Sequence, residues 1–233
     1  MQRFLLREAS LGRDIVISEP GFVHQISHVL RSHIGDSITA FNGDGYEYLY
    51  TINSITKREV WLIYTEKLPS TSDVSTCIRL YQSIPNKYEK LEYILQKWVE
   101  VGVREFIFFR ATRSQKLVIN ERKIERFQDI LHEALEQCGG NQVPSLVFSE
   151  EQLPAPLDGN SYILHTENIV SMPIKSVLDS STAINIFIWP EWGWSDVEIE
   201  VFKSRSVEMI HLGNRVLRTE TTGPLVAFFL MHK

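Results

Sequence analysis

Residues 184–224 read INIFIWPEWGWSDVEIEVFKSRSVEMIHLGNRVLRTETTGP. They hold two apolar runs, 184–189 and 207–211, both short and rich in β-branched or aromatic residues. Runs of that length and composition read as buried strands. Each passes directly into a turn dense in Pro, Gly, Glu and Arg. In an α/β sheet, ligands settle beyond the carboxyl ends of the strands. A site is therefore expected at the turns 189–195 and 212–222.

Outward from that stretch, the chain from residue 77 alternates strand and helix. Runs at 78–84, 105–109, 145–148 and 162–165 read as strands. Leu91, Ile94, Leu95 and Trp98 fall at helical spacing, as do Ile124, Phe127, Leu131, Ala134, Leu135 and Cys138 before Gly139-Gly140. Residues 225–231 are apolar on all sides and read as a buried or interfacial helix, with Thr222 as its cap and Pro224 in its first turn. Such alternation implies an α/β fold, a mostly parallel sheet covered by helices on both faces.

Residues 1–67 differ. Short strand-like runs at 15–17, 37–41, 46–52 and 60–64 surround a helical segment at 20–32. Asn42-Gly43-Asp44-Gly45 is a hairpin signal. The pattern is that of a small, partly open β-barrel. Residues 68–73 gain turn formers and read as a linker.

A hydrophobic content of 43% supports a real core. No apolar run approaches the roughly 18–20 residues of a membrane span, and the N-terminus lacks the apolar core of a secretory signal. Cys77 and Cys138 form no CxxC pair and are too few for a disulfide framework or a zinc site. A reducing cytoplasm, no membrane and no metal are expected. A net charge of −5 argues against a protein that coats nucleic acid non-specifically. A local basic patch on an acidic body is still allowed.

In the turn after the second run, Gly213 permits a tight bend, and Arg215, Arg218 and Glu220 put charge beside a helix start. Taken alone, that is either an anion or polar-ligand site or a capped turn with paired charges. Ser195 to Glu198 is a capping-box pattern.

At this point the chain resembles a family. LGNRVLRTETT is similar to the LGxRILRxETA signature of the RsmE-type 16S ribosomal RNA (uracil-N3)-methyltransferases, of the SPOUT class. IWPEWGWSDVE, residues 188–198, resembles their IGPEGGFSxxE. Lys87, Lys90, Gln96-Lys97 and the EVGV of 100–103 resemble K-x-x-K…QK…ELGV. Arg113-Ser114, the EALEQ of 133–137 and Val143-Pro144 follow in order. Arg3-Phe4, the HVLR of 28–31 and Phe41-Asn42-Gly43 resemble pieces of the family's RNA-binding barrel. The likeness is collinear over essentially the whole chain.

The resemblance implies a PUA-like β-barrel over 1–70 that binds RNA, and a SPOUT-type trefoil-knotted α/β domain over 74–233. It implies transfer of a methyl group from S-adenosylmethionine to uracil N3 in 16S ribosomal RNA of the small ribosomal subunit, by a homodimer. The cofactor would lie among Leu164, His165 and Glu167, then Trp189, Pro190, Glu191 and Gly193, then Leu212, Gly213, Val216, Leu217, Arg218, Thr221 and Thr222. Arg218 is the catalytic candidate, through its charge, or else is paired to Glu220 or Glu191. Glu191 lies near the sulfonium or caps the next turn. Arg3, Arg31, Lys87, Lys90 and Arg113 would face the RNA, with Lys57 and Arg58 as further candidates.

The departures are Trp189 and Trp192 where the family has Gly, and Gly140 where it has Arg. With Trp194, the indoles could stack on a base, plug the pocket or pack. A knotted RNA-binding protein with impaired catalysis is the competing reading. A small-molecule α/β enzyme is the third.

Overall fold

The computed structural model describes residues 2–7, 10–73, 75–165, 171–174 and 183–231. It divides into two compact units, Met1–Asp73 with Leu135–Val143, and Val74–Ala134 with Pro144–Lys233.

The first unit is built on strands β1 (Gln2–Leu5), β2 (Ile15–Ile17), β3 (Ser37–Phe41), β4 (Tyr46–Ile55) and β5 (Val60–Pro69). Their order is β1-β3-β4-β5-β2. Only β1 runs parallel to its neighbour. Strand β4 shows why the sheet has one buried face: Tyr48, Tyr50 and Ile52 alternate into the core while the residues between them do not. Phe4, Phe22, Ile26, Ile38 and Leu62 fill the rest of that core. Helix α1 (Pro20–His24), N-capped by Glu19, continues as a π-turn over Gln25–Val29.

Three features of this unit differ from expectation. β1 is a strand although its four residues carry no clear pattern. β5 runs to Pro69, opposite Tyr46, through residues that read as linker. The helical segment stops at the π-turn, and Arg31 beyond it takes φ +52. The half-barrel is tied to 135–143 by Asn141, whose amide accepts from Gly45 N–H at 2.9 Å and donates to the Tyr46 carbonyl at 2.7 Å.

The second unit carries a seven-stranded sheet in which every described pairing is parallel. Its strands are β6 (Cys77–Ser83), β7 (Glu105–Phe109), β8 (Ser145–Phe148), β9 (Asn160–Leu164), β10 (Met172–Pro173), β11 (Ala183–Ile188) and β12 (Glu208–His211), in the order β10-β12-β9-β11-β6-β7-β8. The first run of the opening stretch is β11, central between β9 and β6. All six of its residues are buried, which requires both faces of the sheet to be covered. Helices α2 (Tyr88–Glu100), α3 (Glu121–Cys138), α4 (Asp196–Ser204) and α5 (Thr219–Met231) supply the cover. No helix among the described residues is long and apolar enough to cross a membrane.

The last helix begins earlier than its sequence suggests. The Arg218 carbonyl accepts from the N–H groups of Thr221 and Thr222 at 3.0 and 3.1 Å, so α5 starts at Thr219. Pro224 therefore sits inside the helix rather than in its first turn, and Thr222 turns its hydroxyl back to the Arg218 carbonyl at 2.9 Å. The α4 capping box forms as expected between Ser195 and Glu198.

Candidate functional site

Because the strands are parallel, their carboxyl ends share one edge. There the segments following β6, β11 and β12 enclose a cleft of about 340 Å³. That volume is within the range of small-molecule sites, roughly 300–1,000 Å³. After β6 come Asn86 and Lys90, after β11 come Trp189, Glu191 and Trp192, and after β12 come Val216 to Glu220.

One buried hydroxyl holds the walls together. Thr219 Oγ1 donates to the Trp189 carbonyl at 3.0 Å and accepts from Gln82 Nε2 at 3.1 Å. Gln82 Nε2 also donates to the Ser83 carbonyl at 2.8 Å. Gln82 and Thr219 are both buried. A hydroxyl can donate once and accept twice, so Thr219 fastens the start of α5 to the ends of β6 and β11 together.

The loop 189–195 is fixed from several sides. Gly193 N–H donates to the Pro190 carbonyl at 2.8 Å. Trp194 Nε1 donates to the Leu164 carbonyl at 3.1 Å, and its ring stacks on Phe109 at 6.2 Å and 4°. Arg113 Nη1 donates to the Trp192 carbonyl at 3.2 Å. Glu191 forms an ion pair with Lys90. It does not cap the following turn, because Glu198 already performs that role.

The indoles separate into three situations. Trp194 is core, 7% exposed. Trp189 is buried but still forms part of the cleft wall. Trp192 stands at the rim, 69% exposed. The cleft exists with all three in place.

Arg218 is 84% exposed at the cleft mouth, and its Nη1 lies 4.0 Å from Glu220 Oε1. So open a pair contributes about 0–1 kcal/mol, and the guanidinium can turn toward another anion at little cost. Its alternative partner, Glu191, is taken by Lys90. Asn86 Oδ1 and Glu220 Oε2 are cut off from solvent and have no hydrogen-bond partner among the described residues. Orphan acceptors are uncommon. Here both belong to residues of the cleft wall, where a ligand bearing N–H or O–H groups would supply donors.

Of the expected ligand-holding residues, the cleft gathers Trp189, Glu191, Val216, Leu217 and Arg218. Leu164 and Pro190 offer carbonyls that are already occupied, by Trp194 Nε1 and Gly193 N–H. His165 donates its N–H to the Ile210 carbonyl at 2.9 Å. Gly213, at φ +108, makes the bend after β12, with Leu212 half-buried before it. Thr221 is exposed on α5 and Thr222 is buried. Glu167 lies outside the described residues. Thr219 and Glu220 fall within the turn 212–222 where a site was expected, although neither was named as holding the cofactor; Asn86 and Gln82 were not anticipated, and no local motif marks them.

Among the basic residues expected to face RNA, Lys87 and Arg31 are exposed. Arg113 is exposed as well and donates to the Trp192 carbonyl, while Lys90 is half-buried and paired with Glu191. Arg3 is only 13% exposed and spends its donors inside the first unit.

Comparison with known proteins agrees with this geometry. Residues 73–231 match a family model described as an RNA methyltransferase domain, and residues 26–63 match an RNA methyltransferase PUA domain. Ribosomal RNA small subunit methyltransferase E of Bacillus subtilis is 31% identical over 218 residues, 88% of this chain and 84% of that protein. A crystal structure of the same-named enzyme from Neisseria gonorrhoeae, bound to S-adenosyl methionine, superposes with a TM-score of 0.86 at 28% identity, over 99% of this chain and 96% of that one. A Legionella pneumophila methyltransferase with bound cofactor SAM gives 0.85 at 27% identity, over 99% and 95%.

Proposed function

The chain belongs to the RsmE-type family of small-subunit ribosomal RNA methyltransferases, and on that premise we propose that its cleft at the carboxyl edge of β6, β11 and β12 methylates N3 of a uridine in 16S ribosomal RNA. The fold is the expected one, a PUA-like half-barrel and a SPOUT-like parallel α/β domain. Knotted threading of the chain, and a division of labour in which the first unit grips RNA and the second transfers the methyl group, are parts of the proposal. So is action in the cytoplasm.

The observation that carries the reading is the junction at Thr219, where three strand-end segments meet around a cleft that holds orphan acceptors. S-adenosylmethionine, when bound, supplies an electrophilic methyl on a sulfonium. Its amino group and ribose hydroxyls are N–H and O–H donors of the kind that Asn86 Oδ1 and Glu220 Oε2 would accept. The backbone of 212–217 and the indole of Trp189 would flank it.

The remaining chemistry belongs to the chain's own residues. Uracil N3 must be held in line and must lose its proton to water or a nearby acceptor. Negative charge then develops on the uracil carbonyl oxygens. Arg218, exposed and loosely paired, supplies the opposing charge. A donor aimed at a developing oxyanion contributes about 10²–10³ in rate, and correct positioning contributes more. Lys90, neutralised by Glu191, holds the wall and leaves Arg218 as the cation at the mouth.

The proposal extends to a homodimer. On α5, Leu225 and Phe229 are 51% and 38% exposed, an apolar surface suited to a second copy of this chain.

Calorimetry with S-adenosylmethionine, followed by labelled methyl transfer to purified small ribosomal subunits and mapping of the modified base, tests the reading. Binding and N3-methyluridine are expected. Absence of donor affinity would leave a catalytically inert RNA-binding protein and overturn it.

A further inference from the structure

We propose that Trp192 is the platform on which the target uracil stacks once it is turned out of the RNA and brought to the mouth of the cleft. This deepens, and rests on, the reading of the cleft as a uridine methyltransferase site. The family signature has glycine at this position, so the platform is a feature of this chain.

The room available decides where base and donor meet. The cleft is about 340 Å³, near the low end of small-molecule sites. A ligand the size of S-adenosylmethionine takes most of that space, with Trp189 buried in its wall. The base must therefore present its N3 at the mouth. Enzymes that act on a base take it out of its stack and receive it on aromatic or apolar side chains. Trp189 and Trp192 are the aromatic residues of the cleft among those described, and Trp192 is the one open to solvent, at 69% exposure.

The backbone beneath this indole is fixed, and the ring is not. Gly193 N–H donates to the Pro190 carbonyl at 2.8 Å and closes a four-residue turn with Trp192 in its third position. Glu191, in the second position, is tied to Lys90. Arg113 Nη1 holds the Trp192 carbonyl at 3.2 Å. Among the described residues, the indole itself has no ring contact and no hydrogen bond. So much apolar surface in water is unfavourable. A held backbone under a free ring is preorganised for a partner with a flat face.

The charges at the mouth point the same way. Lys90 and Arg113 are engaged in holding the turn, which leaves Arg218 as the exposed cation beside the indole's cleft. Uracil stacked on Trp192 lays its face on the ring and leaves its carbonyl edges to the guanidinium. Stacking and charge stabilisation are thus divided between the two turns, 189–195 and 212–222.

Tryptophan fluorescence of the full chain, titrated with a short oligouridylate with and without S-adenosylhomocysteine, tests this without turnover. Quenching is expected. It should vanish in W192F and persist in W61F, which removes another exposed indole, 42% open to solvent. In labelled methyl transfer to purified small ribosomal subunits, W192A should lower kcat/KM about tenfold, the worth of one stacked base, and W192F should recover most of it. Calorimetric affinity for S-adenosylmethionine should stay within about twofold in both. No quenching, quenching that survives in W192F, or wild-type kcat/KM in W192A would overturn the proposal. So would loss of donor affinity in W192A, which would make the indole a cover for the adenine of the donor. Quenching through Trp192 in a wild-type protein that transfers no methyl would sustain the platform and overturn the proposed function. Wild-type transfer by W192A would do the reverse.

Discussion

A Cβ placed on Gly223 would stand 1.1 Å from Cζ2 of Trp98. The indole of Trp98 is fully buried in α2, and α5 crosses it at this glycine. Any side chain here forces the helices apart. Gly223→Ala should destabilise the fold by at least the 1–3 kcal/mol typical of overpacking, about that much or more. Because α5 begins at the cleft, donor affinity should fall as well. Urea unfolding and calorimetry on the same sample check both, and a wild-type midpoint would refute the close crossing.

Thr219→Val keeps the shape and removes the hydroxyl. The Trp189 carbonyl then loses a partner, and Gln82 Nε2 keeps only the Ser83 carbonyl. A buried unpaired group costs about 1–3 kcal/mol. The expected result is a lower unfolding midpoint and weaker binding of S-adenosylmethionine, with Thr219→Ser close to wild type. Equal affinities for Val and wild type would show that the junction does not shape the cleft.

Arg218→Ala separates catalysis from binding. The side chain is exposed and its pairing to Glu220 is long, so stability should change by less than about 0.5 kcal/mol. The turnover rate should drop about 10²–10³-fold, while donor affinity stays within a few-fold. Unchanged turnover would remove Arg218 from the mechanism.

The sequence made β11 and β12 legible because buried parallel strands are continuous apolar runs, and the turns behind them were legible through Pro, Gly and charge. Trp189, Glu191 and Arg218 followed from those turns. Asn86 and Gln82 did not, since a lone amide carries no pattern. They reach the site only because β6 lies beside β11, a pairing between residues about a hundred positions apart. Strand β1 was hidden for a similar reason: Gln2-Arg3-Phe4-Leu5 is short and mixed, and its partner β3 is non-local. Pro69 disguised the end of β5 as a linker, although a proline is tolerated at a strand end. The start of α5 was missed because a backbone carbonyl, that of Arg218, receives its first N–H groups.

Cys77 offers a test by pH. Its Sγ lies 3.5 Å from Glu105 Oε1. Burial pushes the thiol up from its ordinary 9.0, and the charge of Glu105 and the hydrogen bond to it push the same way, against weaker pulls from Arg79 and Arg104. Folding thus favours the protonated thiol. That contribution is full below the ordinary value and is lost as pH rises through the raised one. Iodoacetamide should label Cys77 slowly at neutral pH in the folded chain, and Glu105→Gln should hasten it. Labelling as fast as in urea would contradict the assigned cause.

Arg3 should prove a structural residue and not an RNA contact. Its guanidinium pairs with Glu47 at 2.9 Å and donates to the carbonyls of Leu135, Glu136 and Gly140 at 3.2, 3.3 and 3.1 Å. It also lies 4.5 Å over the ring of Phe41. A planar fork with five donors can serve all of these at once, and an ammonium cannot. Arg3→Lys should therefore keep the charge yet cost about 1–3 kcal/mol, since several carbonyls lose their donor. Below its melting point the variant should bind oligouridylate like wild type. Had Arg3 been a phosphate contact, Lys would preserve much of the affinity, Ala would abolish it, and neither would move the melting temperature. The two roles thus predict opposite orderings of stability and RNA affinity across the same pair of variants.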